Sequence, residues 1–241
     1  MRVEVHFTRA EVESATLGEA TAVVIDVVRA TTTIVEALAN GAVGIYPTAS
    51  AEDAAKLAAS LGREDTLLCG ERRGVKVDGF DLGNSPAEFT ADVVGGKKLV
   101  MSTTNGTRAI TSASEAKRVL VCAFTNLGAV ATAVAADDAL AVLCAGQQEQ
   151  FSIEDALCAG YLIRRVVEGG TGPFELNDAA RAARALAEQL TPDQTFLEEV
   201  SGGRVLAEIG LAGDLEICGE VDRHDIVPMM HDQAITLSGV R

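Results

Sequence analysis

The stretch Thr21–Gly41, TAVVIDVVRATTTIVEALANG, decides how the rest of the chain reads. Ala22 to Val28 is an apolar, β-branched run broken only by Asp26, the pattern of a strand covered on both faces. Residues from about Thr32 to Asn40 then read as a helix, with Gly41 where a helix stops. A carboxylate at the end of a buried strand is costly unless a cation pairs with it, so Asp26 calls for a metal ion or an arginine such as Arg29. Thr31, Thr32 and Thr33 bring hydroxyls and free N–H groups to a helix start, which suits an oxyanion such as phosphate.

Outward from this stretch the same alternation repeats. Arg2–Thr8, Val43–Pro47, Thr66–Cys69, Lys97–Ser102, Arg118–Ala123 and Ala139–Cys144 read as strands. Ala51–Leu61, Asn126–Ala136, Asp178–Leu190 and Thr195–Val200 read as helices, as does a segment opened by Ser152. The pattern predicts one three-layer α/β domain over residues 1–241, with a mainly parallel or mixed sheet and helices on both faces. The remaining tail reads as support; its His224 and His231 lack zinc-ligand spacing.

Composition narrows the class. With 48% hydrophobic and 23% charged residues in 241, the chain reads as soluble and globular. No apolar run approaches the roughly 18 residues of a membrane span, and the N-terminus does not read as a signal peptide. Five cysteines in mostly apolar surroundings read as buried free thiols of a reducing cytoplasm. A net charge of −15 argues against nucleic acid and requires a local cationic cluster or a divalent metal for any anionic ligand. Alanine- and valine-rich helices would suit a homodimer.

In open α/β sheets, ligands gather at the carboxyl ends of the strands. Four segments fall there: Asp26–Thr33, Gly70–Pro86, Thr103–Thr107 and Gly146–Asp155. GERRGVKVDGFDLGNSP, residues 70–86, is too long for a simple connector and carries Glu71, Arg72, Asp81 and Asn84. Thr103, Thr104, Asn105 and Gly106 offer hydroxyls and N–H groups to an anion, or else form only a turn and a cap. Glu154 and Asp155 either complement a helix dipole or ligate a metal at the sheet edge. Carboxylates, hydroxyls and arginines without a serine triad fit magnesium-assisted phosphoryl chemistry better than acyl transfer.

Other phosphate chemistries lack their residues. Walker A and G-x-G-x-x-G are absent. Asp26-Val27-Val28 lacks the second acid of the haloacid-dehalogenase-type phosphatases. Cys158–Arg164, CAGYLIR, has the C-x5-R spacing of cysteine phosphatases but falls mid-helix, without the N–H loop that acidifies such a thiol.

VVIDVVRATTTIVEALANGA, GERRGVKVDGFDLGNSPAEF, TTNGTRAI and AGQQEQFSIEDALCAG, in that order, resemble the ComB family, the 2-phosphosulfolactate phosphatases. The family's usual D-V-L-R reads Asp26-Val27-Val28-Arg29. The resemblance implies a cytoplasmic, magnesium-dependent phosphatase that converts 2-phospho-3-sulfolactate to sulfolactate for coenzyme M synthesis. It suggests Mg²⁺ among Asp26, Glu71, Asp81 and Asp155, with Glu154 as substitute. Arg29, Thr31, Thr32, Arg72, Asn84, Thr103, Thr104, Asn105 and Gly106 would then hold a small anionic substrate, and Asp26, Arg29 and Asp155 would carry the chemistry. Whether Asp26 binds the metal or attacks phosphorus is left open by the motif. The rivals are a phosphatase for another small ester and a non-catalytic sensor of a phosphorylated metabolite.

Overall fold

The structure, a computed structural model, describes residues 1–12 and 17–237. In chain order its strands are β1 (Arg2–His6), β2 (Thr21–Ile25), β3 (Gly44–Pro47), β4 (Thr66–Arg72), β5 (Val75–Lys76), β6 (Lys98–Ser102), β7 (Arg118–Cys122), β8 (Ala139–Cys144), β9 (Glu175–Leu176), β10 (Pro228–His231) and β11 (Ala234–Leu237). Its α-helices are α1 (Ala30–Ala39), α2 (Ala51–Leu61), α3 (Ala91–Val94), α4 (Gly106–Ser112), α5 (Leu127–Val134), α6 (Ile153–Gly169), α7 (Asp178–Gln189), α8 (Gln194–Glu199), α9 (Ser201–Glu208) and α10 (Asp214–Gly219).

The strands form one mixed sheet in the order β5-β4-β6-β3-β11-β10-β7-β2-β8-β1-β9. The block β7-β2-β8-β1-β9 is parallel, as is β4-β6-β3. The antiparallel hairpin β10–β11 joins them, pairing with each block through a single register pair, Met229 with Leu120 and Ile235 with Ile45. The tail therefore supplies the centre of the sheet, a role its sequence conceals. Its strands are four residues long, one begins at a proline, and the turn holds Asp232 at φ 53° instead of displaying Asn-Gly.

Side-chain alternation covers both faces of the strands. Val23 and Ile25 of β2 enter a cluster with Leu157, Leu162 and Val166 of α6, while Ala22 and Val24 pack with Ile34 and Leu38 of α1. That second cluster also takes Leu99 and Met101 of β6 and Ile45 of β3, so one apolar layer is shared by the two parallel blocks. β2 and β6 stand five places apart in the strand order, roughly 24 Å in a flat sheet. Yet a Cβ placed on Gly106, just beyond β6, would lie 2.5 Å from Asp26 Oδ2, just beyond β2. The sheet must curl to bring these ends together.

Local signals hold at several helix starts. Ser50, Ser152 and Asn177 each accept a hydrogen bond from the N–H three residues on, capping α2, α6 and α7. α1 begins at Ala30, two residues before its expected start, because Thr31 and Thr32 turn their hydroxyls onto the Asp26 and Val27 carbonyls at 2.8 Å. Helices α6 and α7 approach so closely at Gly160 that a Cβ there would overlap the Ala183 carbonyl. Gly160→Ala is therefore expected to cost about 1–3 kcal/mol of stability by overpacking, read from the midpoint of urea unfolding.

Candidate active site

The cavity at these strand ends, about 550 Å³, is lined by Asp26, Glu71, Glu154 and Asp155, which are each 7% exposed or less. Asp26 follows β2, Glu71 sits near the end of β4, and Glu154 and Asp155 open α6. The acids are held differently. Asp155 accepts from the backbone N–H groups of Val27 (2.8 Å) and Gly146 (3.1 Å), pinning the exits of β2 and β8 to each other. Glu71 accepts from Gly74 N (2.6 Å), Thr104 N (2.7 Å) and Thr104 Oγ1 (3.2 Å).

Burial pushes the Asp26 carboxyl up to about 7, with Glu71 and Glu154 adding repulsion against weaker relief from the Ala30 N–H and Arg29. Burial also raises Asp155 well above the carboxylate range, helped by Asp26 and Glu154, and raises Glu154. Such a group of like charges is short of cations.

Arg29 is only 3% exposed and lines the cavity, but its charge is already met. Nη1 donates to Asp214 Oδ2 at 2.6 Å, and Nη2 donates to the Gly74 carbonyl at 2.8 Å. Asp214, at the start of α10, accepts from Ser85 Oγ through its other oxygen at 2.6 Å. Nothing local in the tail sequence announces Asp214; it is 185 residues from Arg29 and meets it only through the fold.

Asn84, Thr104 and Asn105 also line the cavity, and Asn84 Oδ1 is buried without a hydrogen-bond partner among the described residues. Six other expected contributors do not line the cavity. Thr31 and Thr32 spend their hydroxyls on the backbone that shapes the Asp26 turn. Thr103 is engaged with Thr107. Arg72 donates to Glu71 O and reaches across to Ser102 at the end of the neighbouring β6. Asp81 is exposed, accepting from Leu68 N at 2.7 Å and pairing with Arg63, so we correct its placement among the metal ligands. Gly106 acts by lacking a side chain, allowing α4 to approach Asp26 and Ala30.

An apolar wall beside the acids went unread in the sequence. Val205, Leu206 and Ile209, from α9 and its C-terminal cap, line the cavity together with Gln147 and Gln148. Cys158 is buried within α6 with its thiol pushed well above its usual value, chiefly by burial, so it does not serve as a nucleophile.

Among the described residues, no three His, Cys, Asp or Glu side chains form a ready-made metal cage. Hard carboxylate oxygens around a cavity short of positive charge nevertheless fit magnesium, which uses one or two carboxylates and keeps several waters. Asp26 and Glu154, less encumbered by backbone donors than Glu71 and Asp155, are the residues that could hold it.

The raised Asp26 carboxyl has a sign that can be tested. Folding raises it from an ordinary value near 3.8 to about 7, so the folded protein retains a proton that the unfolded chain releases. Without divalent cations, stability from this group is lost as pH rises from about 4 to 7. In chelator, Asp26→Asn is expected to melt close to the parent at pH 4.5 and above it at pH 7.5, measured by scanning calorimetry.

Known proteins match this chain over nearly its whole length. The family model for 2-phosphosulpholactate phosphatase matches residues 6–233. A probable 2-phosphosulfolactate phosphatase of Clostridium novyi is 37% identical over 237 residues, covering 98% of this chain and 100% of that protein. Those of Gloeobacter violaceus, 40% identical over 91% of this chain and 92% of theirs, and of Thermotoga petrophila, 38% over 87% and 88%, carry the same description. With the curled sheet and the acidic cavity at its strand ends, these matches lead to one conclusion: the chain belongs to the 2-phosphosulfolactate phosphatase family.

Proposed function

We propose that this protein is a magnesium-dependent phosphatase that hydrolyses 2-phospho-3-sulfolactate to 3-sulfolactate and inorganic phosphate, in the cytoplasm, as in coenzyme M synthesis. The observation that carries the reading is the convergence of Asp26, Glu71, Glu154 and Asp155 on one cavity whose buried arginine is already paired with Asp214. A highly anionic ester could not enter such a site unaided, so the charge balance favours a divalent cation as part of the ligand set. When bound, magnesium supplies neutralising charge to phosphoryl oxygens and acidifies water.

The chain's own residues do the rest. Arg29, fixed by Asp214 and Gly74, offers its remaining N–H groups to phosphoryl oxygens as preset donors. Asn84 and Asn105, at the cavity wall, extend that cradle through their side-chain N–H groups, while Thr104 spends its own donors on Glu71. Asp26 stands at the reacting centre, and Asp155 fixes it by tying the β2 exit to Gly146. Reaction breaks the phosphorus–oxygen ester bond, with water supplying oxygen to phosphate and a proton to the alcohol. The hydrophobic wall of α9 limits the water around this centre.

Phosphate release from 2-phosphosulfolactate should be abolished by EDTA and restored by Mg²⁺. Asp26→Asn is expected to lower kcat at least about a hundredfold with the fold intact. Turnover near that of the parent would exclude Asp26 from the reacting centre, and binding without any phosphate release would make the protein a sensor.

A further inference from the structure

We infer that Arg73 is the specificity-determining residue of this cavity, the group that binds a second acid function on the substrate, remote from the phosphoryl group. The inference rests on the phosphatase reading above and adds a residue to it. The acidic cavity is lined by two arginines, Arg29 and Arg73. Arg29 is committed to Asp214 and the Gly74 carbonyl. Arg73 has no carboxylate or hydrogen-bond partner among the described residues, so its guanidinium is the lining cation available to a ligand.

Its placement is built rather than incidental. Arg73 holds φ 54°, a left-handed conformation that a long side chain rarely adopts and that persists only where its surroundings enforce it. The next residue shows the enforcement. Gly74 (φ 82°) donates its N–H to Glu71 at 2.6 Å and accepts from Arg29 at 2.8 Å, so two residues of the cavity clamp the turn from both sides. A Cβ on Gly74 would stand 2.8 Å from Ile209 Cδ1, which wedges the turn against the cap of α9. The neighbouring Arg72 faces away and is tied to Ser102. Reversing the chain at Arg73-Gly74 thus puts successive arginines to different uses, one structural and one open to ligand.

A guanidinium with its donors unspent suits a carboxylate or sulfonate, which take paired N–H donors. The phosphoryl group has Arg29, the lining asparagines and the cation. Arg73, on a hairpin at the rim, is left for the far end of the molecule.

The test uses Arg73→Gly, which keeps the left-handed backbone and removes the guanidinium, and Arg73→Lys, which keeps the charge. Phosphate release is measured with Mg²⁺ on 2-phosphosulfolactate and on phenyl phosphate, which lacks a second acid. In Arg73→Gly the ratio of kcat/KM for the first ester over the second should fall roughly ten- to a hundredfold, the range of one lost charged hydrogen-bond pair. The loss should lie mainly in KM, and Arg73→Lys should recover part of it. Equal losses on both esters, or no loss on either, overturn the inference. Calorimetric binding of 3-sulfolactate, which has two acid groups and no phosphate, gives a readout independent of hydrolysis. Parental binding that weakens tenfold or more in Arg73→Gly, by the same reckoning about one lost pair, supports the inference even if neither ester is hydrolysed. In that case the phosphatase reading alone fails. No binding by the parent, or equal binding by both proteins, overturns the assignment of Arg73.

Discussion

The burial of Asp26 among other carboxylates is the constraint on which the rest of the structure depends. A lone carboxylate under this much protein would be expelled or neutralised, and Glu71 and Glu154 make its ionised form still less favourable. The fold meets that cost with rigid geometry. Thr31 ties to the Asp26 backbone through both its hydrogen-bond functions, Asp155 is fixed by two N–H donors, and Glu71 by three donors. Groups held so firmly cannot relax away from one another, and the unspent negative charge is directed into the cavity.

The same rigidity explains why a protein of net charge −15 can belong to a family that acts on a phosphate ester. The field of the whole molecule opposes such a ligand, and the site compensates locally. Arg29 contributes little net attraction, because Asp214 lies 2.6 Å away, but the pairing orients its guanidinium. It is a shaped donor more than a source of charge.

Much of this was legible in the chain, and the exceptions have physical causes. Asp26, Glu71, Glu154 and Asp155 each lie in a segment at or after a strand end, where α/β sheets gather ligands, so position marked them as candidates, although Glu154 and Asp155 could equally have complemented a helix dipole. The hydroxyls were harder. A threonine beside a strand end can face an anion or close on its own backbone with identical local sequence, and Thr31, Thr32 and Thr103 do the latter. Arg72 and Arg73 could not be told apart either, since the strand runs through Arg72 and reverses at Arg73. Asp81 lies within a loop too long for a simple connector, but its carboxylate is used to fasten that loop to β4.

What escaped the sequence altogether came from the tail, and one cause accounts for it. β10 and β11 are short and lack strict alternation, α9 is amphipathic in the ordinary way, and Asp214 is one acid at a helix start among many. Each acquires meaning only through contacts 100 or more residues away: Asp214 with Arg29, and Val205 and Ile209 with the cavity formed by Asp26 and Glu71. The hairpin joins the two parallel blocks into one sheet, and the curl of that sheet brings the ends of β2 and β6 together. The first third of the chain thus carries much of the chemistry while the last sixth supplies the closure that assembles it. A local reading detects the former because charge at a strand end is conspicuous, and it passes over the latter because closure leaves no local mark.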